Sequence, residues 1–546
     1  MQLPIAQLSN LIASGENPFR PDSAQQAAAA RPTPACHLLI ELDLAAPFWR
    51  YYQLFNGEPY AFLLDSAKDP AKLGRYSFLG GDPFLVYKAK RQTRLNRQDA
   101  AKVEVLRLRD EQGRALPEPL IERREADLFD DLRSVLREFA VDRRALAGAP
   151  LPLHAGAVGY FGYEAGHFVE NMPDTGADDL GLPDVYFTLH DVILGECHRS
   201  GRAYLSVIGR GEDDATALAN AKRLRDEMLA RIAAFEADGL IAAWTGPDPM
   251  QAAATSLDVR AEFDQESYCR LIAECQRHIL AGDIFEVCLT HRLQAPLVGQ
   301  PWELYQELRR INPAPFASYL NFPEGRVISS SPERYVSLSS GRVAESRPIK
   351  GTRPRGDTPQ EDQKICRELA TSIKDRAENV MIVDLVRNDL GRVCKFGTVQ
   401  VPELMVVEQY ATVFQMVSTV QGDLVDGLDA LDLVQASFPC GSMTGAPKIE
   451  AMKIIDRLEP VKRGVYSGAI GYFDFSGPMD LSAVIRTAVE RDGQCYFNVG
   501  GAIVADSSPE AEYRETLDKA QAMITALRNV KACAERQARS GDPAAP

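Results

Sequence analysis

Apolar residues recur every three or four positions through DATALANAKRLRDEMLARIAAFEA (214–237) and again through AEFDQESYCRLIAECQRHILAGD (261–283), a spacing that predicts two amphipathic helices. A third helix is marked by its start. Thr358-Pro359-Gln360-Glu361 reads as a capping box with proline at the first helical position, and the period runs on through Ile365, Leu369 and Ile373, so Glu378 falls on that helix or just after its end. Ser508-Pro509 opens another, on which Glu512 and Glu515 stand three apart and share one face near the first turn. Shorter apolar runs bounded by Gly and Pro predict strands in PYAFLLDSA, GRYSFLGGDPFLVYKA, GAVGYFGYEA and AYLSVIG. Near the end, GAIGYFDF, LSAVIRTAVE and CYFNVGGAIVADSS read as successive antiparallel strands, the last passing Gly500-Gly501, where a backbone can approach a ligand closely.

The Pro/Ala-rich ends, residues 1–35 and 536–546, are expected to be poorly ordered. GPDPMQAAATS (246–256) follows a long helix and precedes a new helix start, which divides the chain near residue 255 into units of 36–250 and 258–530. Length 546, with 45% hydrophobic and 25% charged residues, allows a sizeable core. A formal charge of -15 argues against general nucleic-acid binding, so any anionic ligand has to be met by a local pocket. No secretory leader or apolar run of membrane-spanning length is read, and the expectation is a cytoplasmic protein. The ten cysteines contain no CxxC pair, which points to reduced thiols rather than zinc or a disulfide framework. All seven histidines lie before residue 292. Chemistry in the later half therefore has to use Lys, Glu, Asp or Tyr.

Several residues there are chemically suggestive. Lys350, in ESRPIKGTRPRG, is crowded by Arg347, Arg353 and Arg355: it is either a solvated cation or anion contact, or an amine whose pKa is lowered by burial and like charge. Glu378 with Glu512 and Glu515 would suit Mg²⁺, although two glutamates three apart are also a common solvated helix face. PCGSMTGAPK is a small-residue turn before a helix and could hold an anion, without being a Walker motif. Arg486, in an apolar strand, is either a paired buried cation or a fork for a carboxylate.

The run SSSPERYV, RPIKGTRPRG, AENVMIVDLVRNDLGRV, GSMTGAPK, YSGAIGYF, VIRTA and GGAIVADSSPEAEYRETLDKA resembles, in order and spacing over about residues 260–525, the chorismate-utilising enzymes. Residues 36–250 also resemble the N-terminal domain of the amino-transferring members of that family. The resemblance implies an α/β (α+β) fold, a large sandwich of two antiparallel sheets with helices outside and the site between them. It implies Glu378 and Glu512 as Mg²⁺ carboxylates, with Glu515 either reaching the ion through water or standing behind its direct ligands. Tyr466, Arg486, the backbone at Gly500 and Gly501, and Ser442 are implied to clamp substrate carboxylates.

Lysine in Pro-Ile-Lys-Gly-Thr resembles the members that aminate C4 of chorismate on the way to p-aminobenzoate and folate. Alanine is usual there in the members that form anthranilate, which is the alternative; isochorismate formation fits less well. The implied mechanism has the Lys350 amine, kept neutral by the flanking cations, attack C2 as the C4 hydroxyl leaves. Ammonia then adds at C4. Glu333 resembles the general acid/base, and Gln415 replaces a histidine of several relatives, so that position cannot shuttle a proton. No fused glutaminase segment is present, which implies a separate glutamine amidotransferase subunit as partner. LLDSA (63–67) with NPAPF (312–316) resembles the pocket in which relatives hold tryptophan.

Overall fold

Both long periodic segments form helices, and each is capped by aspartate. The Asp213 side chain accepts from Thr216 N to start Asp214–Ala237, and Asp264 accepts from Ser267 N to start Gln265–Ala281, which Gly282 closes in the left-handed conformation at φ 84°. The computed structural model describes residues 34–540 except 68, 70, 71, 93–99, 111, 112, 147, 240–245, 248, 249, 251–253, 411 and 412. Nearly all of the expected N-terminal tail, part of GPDPMQAAATS and residues 541–546 lie outside the described residues. The last helix is Pro509–Ser540, so residues 536–540 of the expected C-terminal tail are helical.

Thr358 accepts from Glu361 N at 3.2 Å with Pro359 in the first turn, but the Glu361 carboxylate accepts from Asp357 N instead of the cap amide, so the box is half made. That helix stops at Thr371. Ser372, extended at φ -61° and ψ 116°, ends it and caps a second helix, Ile373–Gly391, by accepting from Asp375 N. The expected period through Ile373 thus crosses a break: Ile373 is exposed, and Glu378 belongs to the second helix.

Two antiparallel sheets, each of twelve strands among the described residues, form the layers. The first runs from Ala35–Leu42 to Arg260–Ala261, whose neighbour Glu286–Pro296 pairs with Gln494–Ile503 along its length and with Gly445–Ala446 at its start. The second runs from Ala115–Ala126 to Ile349–Pro354, whose partner is Val413–Asp423. Segments on either side of residue 255 share both sheets: Ala61–Asp65 pairs with Phe316–Phe322, and Gly156–Phe161 with Ala469–Asp474. Phe62, Tyr160, Tyr186, Phe322, Ile470 and Val484 fill one buried cluster, with the Tyr186 and Phe322 rings stacked 4.0 Å apart. Helices Asp214–Ala237, Pro301–Ile311 and Pro509–Ser540 cover the first sheet, and Ile373–Gly391 and Ala430–Ser437 the second. This is the sandwich the resemblance implied.

LSAVIRTAVE, expected as one strand, is two. Met479–Ala483 pairs in the second sheet and Thr487–Arg491 in the first. The chain changes sheet between them, and Arg486 makes the turn in the left-handed region at φ 53°. The turn sets the Arg486 side chain at the seam between the layers, where a continuous strand would have left it in the ladder.

Arg463 holds the same region together. Its guanidinium donates to Glu459 (2.7 and 2.6 Å), to the Met443 carbonyl (2.7 Å) and to the Cys288 carbonyl (2.8 Å), and Glu459 also accepts from Thr290 N at 2.8 Å. Both ions are buried. Arg463→Met strands the Glu459 charge, and the expected destabilisation is about 3–5 kcal/mol. Urea unfolding checks this; an unchanged midpoint would contradict it.

Candidate active site

Register between Ile349–Pro354 and Val413–Asp423 shifts between Ile349 and Thr352, and Gly351, inside the shift, has φ 79°. A Cβ at Gly351 would lie 2.8 Å from Asp375 Oδ1, so the bulge needs glycine. Lys350 sits on this bulge, only 9% exposed, with its Nζ 2.6 Å from Glu286 Oε1. Glu286 is the first residue of Glu286–Pro296 in the other sheet and is 1% exposed. One ion pair therefore spans the two layers.

Lys350 departs from expectation in its charge. Burial works against the ammonium, but Glu286 and then Glu378 outweigh it and hold the amine above its ordinary pKa. The flanking arginines do not lower it because each is taken up by other acceptors. Arg347 bonds Thr419 (2.9 Å), Glu403 (3.2 Å) and Glu408 (2.8 Å), Arg353 bonds Asp375 at 2.7 Å, and Arg355 bonds Asp362 and the Tyr410 carbonyl. Without ligand, Lys350 is a cation among carboxylates.

Glu333, 4% exposed, is the second acid beside it. Burial pushes its carboxyl up to about 7, with Ser442, the Ile349 amide and Lys350 pulling the other way. At that value the group can give or take a proton near neutrality. Glu378 is also raised to about 7, by burial foremost and by Glu286, against the pull of Lys350 and Lys374.

Lys374 Nζ lies 3.9 Å from Glu378 Oε1 and 3.4 Å from Glu512 Oε1, so a single cation gathers the two expected metal carboxylates. Glu512 is buried and also accepts from Ser507 Oγ at 2.8 Å. A Cβ on Gly501 would lie 3.2 Å from Glu512 Oε2 and 3.9 Å from Glu515 Oε1, so glycine keeps the space in front of them open. Glu515 itself pairs with Lys519 at 2.7 Å. Among the described residues no group of three or more His, Cys, Asp or Glu is placed to hold a metal. Two carboxylates drawn around one cation beside an open glycine nevertheless fit a hard divalent ion that keeps its remaining positions for water or ligand oxygens.

Tyr466 and Arg486 are neighbours, and Arg486 also feels Glu515. Burial lowers the Arg486 pKa, with Tyr466 and Glu515 acting against that, and its guanidinium donates to the Lys519 carbonyl at 3.1 Å. Lys519 Nζ in turn donates to the Gly500 carbonyl at 2.8 Å. Ser442 stands between Cys440 Sγ, 3.2 Å away, and Glu333. In the GSMTG turn, Met443 N and Thr444 N bond back to Cys440 and Gly441 carbonyls, which leaves them unavailable to an anion. Gln415 is buried opposite Thr352, and as an amide it exchanges no proton.

The structure thus gathers the expected residues around the seam and adds three that the sequence reading missed: Glu286, Lys374 and Lys519. For Glu286 the available signal was a lone acid in the otherwise apolar run IFEVCL. LLDSA and NPAPF also come together, Asp65 opposite Ala317, lining a separate cavity of about 700 Å³ with Tyr472 and Met479.

A pH dependence of stability follows from Glu333. Its folded pKa of about 7 exceeds the ordinary 4.5, so the native state binds this proton more tightly. Stability from this group is therefore lost as pH rises from the unfolded to the folded value. Glu333→Gln should stabilise the fold by about 1–3 kcal/mol near pH 8 and by almost nothing near pH 4.5. Urea midpoints at the two pH values read this; a difference independent of pH would contradict it.

A model of the family described as chorismate binding enzyme matches residues 83–525. The aminodeoxychorismate synthase of Streptomyces pristinaespiralis is 43% identical over 482 residues, covering 88% of this chain and 63% of that one, so the chain spans less than two thirds of this relative. Aminodeoxychorismate synthase component 1 of Salmonella typhimurium is 43% identical over 379 residues (69% of this chain, 78% of that one). Anthranilate synthase component 1 of Acetivibrio thermocellus is 36% identical over 497 residues (89% and 94%). Among solved structures, anthranilate synthase component I of Streptococcus pneumoniae superposes with a TM-score of 0.64 at 28% identity, over 82% of this chain and 92% of that one. The menaquinone-specific isochorismate synthase of Escherichia coli shares the fold, with a TM-score of 0.62 at 17% identity over 91% and 95%. With a family match that spans most of the length and includes Lys350, Glu333, Glu378 and Glu512, the chain belongs to the chorismate binding enzymes.

Proposed function

We propose that this chain is an aminodeoxychorismate synthase of the component 1 type. It would convert chorismate and ammonia to 4-amino-4-deoxychorismate, with Mg²⁺ as cofactor and a separate glutaminase subunit as the ammonia source. The observation that carries the reading is Lys350, a buried primary amine on a bulge, 2.6 Å from one carboxylate and beside Glu333. Relatives named aminodeoxychorismate synthase, 43% identical, support it.

In this reading the Lys350 amine, once deprotonated, attacks C2 of the bound ring while Glu333 gives its proton to the departing C4 hydroxyl, which leaves as water. Ammonia then forms the bond to C4 and the lysine nitrogen leaves C2. The pyruvyl group stays attached throughout. Arg486, with Tyr466 and Ser442 nearby, is suited to fork a substrate carboxylate. Bound by Glu378 and Glu512, Mg²⁺ would supply a positive charge that grips the ring carboxylate. Because water or hydroxide competes with ammonia, a dry site matters, and the burial of Lys350 and Glu333 supports one.

The test is a product assay with purified protein, chorismate, Mg²⁺ and an ammonium salt. The expected product is an amino-substituted chorismate that retains the pyruvyl group, with no pyruvate released. Anthranilate with stoichiometric pyruvate would overturn the reading in favour of the anthranilate synthase alternative. Lys350→Ala should lower amination at C4 by about 10²-fold or more. An unaffected rate would remove Lys350 from the chemistry.

A further inference from the structure

Lys350 poses a problem that the proposed reaction does not solve by itself. The amine has to lose a proton before it can attack carbon, yet the site holds it as an ammonium. Glu286 lies where that proton can go. Its Oε1 is 2.6 Å from Lys350 Nζ, while Oε2 is buried and has no hydrogen-bond partner among the described residues. Glu286 therefore offers the ammonium one acceptor oxygen in direct contact and a second oxygen that no other group among the described residues occupies.

The main chain holds Glu286 in this position from two sides. Its strand pairs with Gln494–Ile503, starting one residue later at Val287 opposite Ile503, and Gly445–Ala446 pairs back onto Glu286 and Val287. Phe285 N donates to the Ala446 carbonyl at 2.7 Å. The titratable groups facing Lys350 are Glu286 and Cys288 from this strand, Glu333 from the segment before Arg334–Leu338, and Glu378 from Ile373–Gly391. Of these, Glu286 is the one in hydrogen-bond contact with Nζ. Glu333 is needed at the C4 hydroxyl, and Glu378 faces the cation region.

We propose that Glu286 takes the proton from Lys350 before attack and returns it when the lysine leaves, a role that rests on the amination reading above. The protons balance. Transfer from Nζ to Glu286 turns a buried ion pair into a neutral amine and a neutral acid. The amine bonds C2 as the C4–O bond breaks, and Glu333 supplies the proton that makes the leaving group water. Ammonia bonds C4 as the C2–N bond breaks, freeing the neutral amine. Glu286 then reprotonates Lys350, and Glu333 recovers its proton from the new ammonium at C4. Chorismate and ammonia have become the amino product and water, and both glutamates are restored.

The experiment compares steady-state kinetics of the full chain and its Glu286→Gln variant, with ammonium salt, across the neutral to alkaline range. The expected result is a kcat about 10²-fold lower near neutrality, with KM for chorismate within about threefold of the parent. The ratio of variant to parent kcat should rise with pH, because solvent then has to take the proton; using the ratio cancels the titration of Glu333. A ratio near one at every pH would overturn the proposal, since desolvation alone would then suffice to free the amine. An equal loss at all pH values would also overturn it and assign Glu286 a purely structural role. Should Glu286→Gln not fold, Glu286→Asp keeps the acid but lengthens the gap, and a fall of about tenfold is expected; an unchanged rate counts against the proposal. Formation of anthranilate and pyruvate by the parent would instead overturn the amination reading itself.

Discussion

The buried ion pair of Lys350 with Glu286 joins the two sheets at the place where the site forms. Removing both charges from water costs several kcal/mol per ion, and their attraction repays this only when the geometry is close and other polar groups help. The 2.6 Å contact meets the first condition, and the unsatisfied Oε2 of Glu286 shows that the second is met only in part. A packing argument alone would replace the pair by apolar side chains. Its presence in a dry site fits a group that changes protonation state, as the proposed reaction requires.

Other features of the site are local departures from regular structure. Gly351 at φ 79° makes the bulge that carries Lys350, and Arg486 at φ 53° turns the chain from one sheet to the other. Gly501 leaves open the space in front of Glu512 and Glu515. Around them the electrostatics divide the carboxylates into kinds. Glu333 and Glu378 are driven up to about 7 chiefly by burial, whereas Glu515 stays below its ordinary range because Lys519, Lys374 and Arg353 outweigh its burial. Similar side chains are thus given different proton affinities by their surroundings, which is what the proposed division into proton transfer, cation binding and fixed charge requires.

Much of this was legible in the sequence. The helices over Asp214–Ala237 and Gln265–Ala281 were readable from apolar spacing and the starts at Pro359 and Pro509 from local start signals, and the ordered motifs pointed to the two-sheet fold. What was not legible depends on partners that no local pattern assigns. Arg347, Arg353 and Arg355 look like a cationic crowd around Lys350 in one dimension, but their carboxylate partners Glu403, Glu408, Asp375 and Asp362 remove that influence. Glu286 is 64 residues from Lys350 in sequence, and no local pattern joins them. The break at Ser372 and the crossing at Arg486 were hidden because apolar periodicity continues across both.

The central claim is that the Lys350 nitrogen itself bonds to the substrate. The most direct measurement is the intact mass of the protein after incubation with chorismate and Mg²⁺ in the absence of ammonia, followed by peptide mapping. The account predicts an adduct of chorismate less one water, located on Lys350 and discharged on adding ammonium. An unmodified Lys350 in protein that goes on to make the amino product at full rate when ammonium is supplied would contradict it.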